Sequence, residues 1–170
     1  MTATTRSLPR TWLRGLSPML LALCAGTAVA AGNDLQLAVD LRAEAEQARL
    51  AGGPLIVIFS RPDCTYCETV KRDYLKPLLA NPRYRGVLVR QVNQDSDTPL
   101  TDFRGEKTTH ARFAGAEKVK LVPVVAFYGP QGKRLAEPIV GARLPDFYPS
   151  YLEEAITKST ATLAATNAPR

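Results

Sequence analysis

Apolar residues recur along this chain in two periods, and the switches between them mark its elements. In "DLQLAVDLRAEAEQARLAGGP" (34–54), Leu37, Leu41, Ala45 and Ala48 fall on one helical face with charges opposite. Gly52-Gly53-Pro54 stops the helix. "LIVIF" (55–59) is a continuous branched and aromatic run, the pattern of a strand buried on both faces. Pro62 and Asp63 break it. From Cys64 the period becomes helical, with Tyr66, Val70, Tyr74 and Leu78 every fourth residue. Pro77 predicts a kink or an end near Lys76. "GVLVRQV" (86–92) reads as the second strand. Residues 94–110 are polar and turn-rich and read as an inserted loop, followed by a short helix over 108–115.

"LVPVVAFY" (121–128) predicts a third strand, entered through Pro123. After the turn "GPQGK", "RLAEPIVG" (134–141) pairs back as a hairpin strand, with Pro138 marking an edge. A last helix over 149–165 turns Leu152, Ala155 and Ile156 inward, and residues 159–170 read as a flexible tail. No internal repeat is present. Strand–helix–strand followed by an antiparallel hairpin implies an α/β domain, a central mixed sheet with helices on both faces.

The first 30 residues stand apart. Arg6, Arg10 and Arg14 precede "LSPMLLALCAGTAVA", an apolar run ending in small residues, and Ala28-Val29-Ala30 fits a small-x-small cleavage site. The run is short for a membrane span of about 20 apolar residues. Leu23 before Cys24 is larger than a lipid-attachment site wants. The chain is therefore organised as a signal peptide (1–30), an N-terminal helix (31–53), a domain (54–158) and the tail. It is expected in the periplasm. Cleavage removes three arginines and lowers the formal charge from +6 to +3. No basic run is interleaved with aromatics, so nucleic acid is not an expected partner.

Of three cysteines, Cys24 leaves with the leader, and Cys64 and Cys67 remain. An oxidising compartment permits a disulfide. The loop these two would close is tiny, so it adds little chain-entropy stabilisation, and reactivity is the better purpose. Zinc ordinarily needs four ligands, and only His110 could join two thiolates with nitrogen or sulfur. No metal and no cofactor is expected. His110 reads as a solvated loop residue, and Glu68 and Lys71 as solvated helix charges. Asp95, Asp97 and Asp102 lack a glycine-anchored calcium loop.

"LIVIFSRPDCTYC", "LVPVVAFYGPQGK" and "PIVGARLPDFYPSYLEEAI" together resemble the thioredoxin-like superfamily, over roughly residues 35–157. Within it, "DTPLTDFRGEKTT" looks like the periplasmic branch associated with sulfur oxidation and cytochrome maturation. The resemblance implies thiol–disulfide exchange, with Cys64 as nucleophile and Cys67 as resolving cysteine. It implies a cis Val122–Pro123 bond beside the sulfurs, with Tyr66, Val122 and Pro123 binding substrate. The implied partners are thiols or disulfides of exported proteins and a membrane electron donor, served by a monomer. The sequence departs from the cytosolic members: Asp63 stands for their tryptophan, Thr65-Tyr66 for Gly-Pro, and Ile58 for their buried acid. A thiolate at a helix start is favoured by unpaired amides and the dipole, and Arg61 helps while Asp63 opposes. A reductant is the expected direction. An oxidase, an isomerase and a redox-inactive binding module or metal carrier are the other readings.

Overall fold

The computed structural model describes residues 1–2, 35–142 and 145–167. Residues 3–30 of the leader, with Cys24 and the cleavage site, lie outside them. A four-stranded mixed sheet has the order β2-β1-β5-β6, with β1 Leu55–Ser60, β2 Leu88–Asn93, β5 Val124–Tyr128 and β6 Ile139–Val140. β1 runs parallel to β2 and antiparallel to β5, so it is central and all six of its residues are buried. Its period of two divides the core. Ile56 and Ile58 enter one layer with Val70, Leu75 and Leu78, and with Leu152 and Ile156 of the C-terminal helix. Leu55, Val57 and Phe59 enter the other with Leu41, Ala45, Phe113 and Ala114. Burying each such aliphatic side chain contributes about 1.5–3 kcal/mol.

The first helix, α1, is Leu41–Leu50, shorter than the apolar pattern suggests. Asp40 caps it, its side chain accepting the Ala43 amide at 2.9 Å. The residues before it are extended: the Ala38 amide donates to Gln91 O and the Gln91 amide to Gln36 O, so Leu37 bridges to β2 rather than joining the helical face.

The helix after Cys64 does not stop at Lys76. It runs as α2 (Thr65–Val70), a π-helical turn (Lys71–Leu75) and α3 (Lys76–Ala80). A proline cannot donate its amide and crowds the carbonyl four residues back, and the wide turn before α3 puts Pro77 in a first turn, where both defects are tolerated. Tyr74 on that turn stacks on buried Tyr148 with ring centroids 4.3 Å apart.

The segment read as a loop carries a hairpin, β3 Pro99–Thr101 against β4 Lys107–Thr109. Asp102 Oδ1 closes its turn by accepting the Arg104 and Glu106 amides. Buried Leu100 and Phe103 anchor it to the core. α4 follows at His110–Ala116. β6 is only two residues long, at the sheet edge that Pro138 suggested. α5 spans Tyr148–Asn167, so the expected tail is helical to Asn167, held by buried Ser159 and Leu163.

Candidate functional site

β1 delivers the chain to the cysteines through Arg61, Pro62 and Asp63, all exposed. Asp63 has φ 58°, the left-handed region that aspartate tolerates better than most residues. That turn redirects the chain, and Cys64 caps α2 in an extended conformation. Its Sγ accepts the Cys67 amide at 3.2 Å, and its carbonyl accepts the Glu68 amide. One orphan donor of the helix start is thus met by sulfur, a partner that favours the thiolate when the bond to Cys67 is open.

Cys64 and Cys67 are joined as a disulfide, with Cα atoms 5.2 Å apart. Their exposures differ in a way that assigns access: Cys64 is 9% exposed and Cys67 0%. Of the two sulfur-bearing residues, Cys64 alone keeps some surface toward solvent. Tyr66 lies between them and is 69% exposed, so its ring is not part of the core.

The Val122–Pro123 peptide is cis. Pro123 is buried and its carbonyl accepts the Gly141 amide at 2.8 Å, which ties the entry of β5 to the exit of β6. Val124 pairs with Phe59, so the cis peptide lies at the end of the sheet from which β1 leads to Cys64. Beside it is a depression of about 270 Å³, with Leu121, Val124, Pro138 and Val140 in its wall and Lys118 and Lys120 on its rim.

Two charged or polar residues sit otherwise than their sequence setting suggests. His110 is fully buried rather than solvated. Its Nδ1 accepts the Asn93 amide at 3.0 Å, and its Nε2 lies 2.9 Å from Ala38 O, as a donor. One ring thereby joins β2, α4 and the segment before α1. Lys71 is also buried, its Nζ 2.6 Å from Glu68 Oε1. The helical period places residue 71 one turn beyond Cys67 on the inner face, which the charge itself concealed. No group of three histidine, cysteine or acidic side chains gathers at metal-binding distance among the described residues.

Residues missed from sequence are Ser60 and Gln91, polar side chains buried near the cysteine helix. Strand alternation was the available signal, since Ser60 continues the inward series of Ile56 and Ile58.

No curated protein matches the chain. Among solved structures it is similar to mitochondrial thioredoxin 3 from Saccharomyces cerevisiae in its oxidised form, at 19% identity and TM-score 0.48, covering 72% of this chain and 93% of that one. It is similar to a thioredoxin-fold protein from Helicobacter pylori at 19% identity and TM-score 0.49, covering 66% and 80%. A third is Trxlp from Edwardsiella tarda, at 22% and 0.47, covering 68% and 98%. Residues 41–156 match the sequence model described as a thioredoxin-like domain. With that match spanning most of the chain and a redox-capable cysteine pair at the head of α2, the protein belongs to the thioredoxin-like family and is a thiol–disulfide oxidoreductase.

Proposed function

We propose that the protein is an exported monomer that reduces disulfides of other exported proteins and is recharged by a membrane electron donor. The observation that carries the exchange cycle is the unequal burial of the two sulfurs. Cys64 as thiolate attacks a substrate disulfide, forming a mixed disulfide and releasing one substrate thiolate, which takes up a proton. Cys67, held one helical turn away, then attacks Cys64 and releases the second substrate sulfur. Two electrons pass to the substrate, and the Cys64–Cys67 bond forms. Tyr66, which is exposed, and Val122 and Pro123 at the cis peptide are assigned to substrate binding, as the family resemblance implies.

The leader-like first 30 residues support export to the periplasm, and the sequence resemblance to periplasmic reducing thioredoxins supports the direction. Potentials of such couples run from about −270 to −120 mV, and a reductant belongs in the lower half. Equilibration of the chain from Ala31 with glutathione buffers measures this. A value near the strong-oxidant end, with a Cys64 pKa of roughly 4 or lower, identifies an oxidase instead. Inability to cycle between dithiol and disulfide leaves a binding module.

A further inference from the structure

Ser60 ends β1 wholly buried, yet its hydroxyl has no hydrogen-bond partner. Gln91 is buried nearby with one oxygen in the same condition: its Nε2 donates to Asn93 Oδ1 at 2.7 Å, and its Oε1 is unpartnered. The ladder groups these residues. Ser60 pairs with Asn93 and Ile58 with Gln91, so all four side chains project to one face of the sheet. That face is the layer beneath the cysteine helix, where Val70, Leu75 and Leu78 pack on Ile56 and Ile58. Cys67 lies one turn before Val70 on the inner side of that helix and is fully buried. The inner cysteine is therefore on the side of α2 that faces the layer toward which the orphan hydroxyl projects.

A buried hydroxyl without a partner costs about 1–3 kcal/mol, and alanine would fill the place of Ser60 without that cost. In the disulfide form Cys67 has neither proton nor charge to offer a hydroxyl. In the dithiol form it has one or the other. We propose that Ser60 is the positioning residue of Cys67, its O–H donating to the Cys67 thiolate in the resolving step. This rests on the thiol–disulfide reading above. With substrate held on Cys64, the Cys67 S–H proton passes to solvent and the sulfur attacks Cys64. The Cys67–Cys64 bond forms as the Cys64–substrate bond breaks, and the substrate thiolate leaves and is protonated. Ser60 gains and loses no proton. The titratable groups on elements packed around this layer are Lys71 with its partner Glu68, Asp63 in the turn, His110 against the Asn93 amide, and Tyr74, Tyr84 and Tyr148. The Tyr148 hydroxyl is unpartnered too, but it belongs to the stack on Tyr74, two turns along the helix from Cys67.

The test compares the wild type with Ser60→Ala and Ser60→Thr. In glutathione buffers Ser60→Ala shifts the equilibrium about tenfold toward the disulfide, equivalent to about 30 mV. Its resolving step, followed as decay of a mixed disulfide on Cys64, moves to higher pH, and Ser60→Thr restores both. Melting of the two redox forms separates this from packing: Ser60→Ala leaves the disulfide form as stable as before or more so, and weakens the dithiol form. Equal stability changes in both forms, with potential and pH profile unmoved, overturn the proposal. A wild type that exchanges no small disulfide overturns the functional reading itself, whereas an active wild type matched in every respect by Ser60→Ala overturns only the role of Ser60.

Discussion

Ile58 and Gln91 are direct partners across the parallel β1–β2 ladder, an apolar side chain beside a buried amide. No carboxylate occupies the strand position where related thioredoxins were expected to carry one. Reduction of a model disulfide should therefore follow thiol titration alone. Ile58→Asp should add a second, carboxylate-dependent limb to the rate profile. Its burial raises the new group's folded pKa above the unfolded value near 4, so the variant matches the wild type best at low pH and loses stability as pH rises, by about 3–5 kcal/mol at neutrality. An unchanged rate profile in a folded variant would refute the placement of this residue beneath the cysteines.

Cys67→Ser should accumulate a stable adduct with a disulfide peptide, and mass spectrometry of digests should place it on Cys64. Cys64→Ser should form little adduct, because Cys67 is fully buried. Equal trapping by both variants would reverse or abolish the assignment.

Glu44 and Arg90 join α1 to β2 through an ion pair at 2.7 Å, each side chain 13% exposed. Burial holds the Glu44 carboxyl above its usual 4.5 despite the opposing pull of Arg90. The Glu44 side chain thus contributes most to stability when protonated, at pH below that value, and progressively less as pH rises through the folded pKa. Arg90→Met removes the compensating charge. Its cost should be about 3 kcal/mol at neutral pH and should shrink toward pH 4, where Glu44 takes up a proton. Urea denaturation across pH 4–8 checks this, and a cost independent of pH would contradict it.

His110→Ala should cost about 3 kcal/mol or more. It leaves the Asn93 amide and the Ala38 carbonyl without their partner, each worth about 1–3 kcal/mol when orphaned, and opens a cavity. Amide exchange at Asn93 should accelerate with it. Wild-type stability in the variant would show the ring to be dispensable.

Much of this architecture was legible because apolar pattern determines it. The all-buried run at 55–59, the stop at Gly52-Gly53-Pro54 and the helix opening at Cys64 are local signals, and the structure has each. What escaped were residues whose fate depends on helical phase, a local distortion or a distant partner rather than on local composition. Lys71 carries a charge, so local composition sends it to solvent, whereas its helical phase and Glu68 bring it inside. His110 sits in a polar stretch, and only the approach of Asn93 and Ala38 makes it a core residue. The hairpin in 94–110 has strands of three residues, too short for a periodic signal, and depends on Leu100 and Phe103 finding the core. Pro77 signals a kink or an end, and only the structure shows that the irregularity is a π-helical turn through which the helix continues to Ala80.

The backbone strip from Gln36 to Asp40 has a bearing on where the chain can be cut. It occupies the outer margin of β2 through the Gln36, Ala38 and Gln91 bonds, while the opposite margin, β6, is two residues long and headed by Pro138. Uncovered strand margins invite pairing between molecules. A chain trimmed after Ala30 keeps the strip. One beginning at Leu41 retains every named helix and strand, yet bares the Gln91 backbone groups along the margin of β2. Light scattering of the two truncations at equal concentration should find the longer one dispersed and the shorter one self-associating, which makes this unassuming segment a guard against aggregation in whatever compartment the protein occupies.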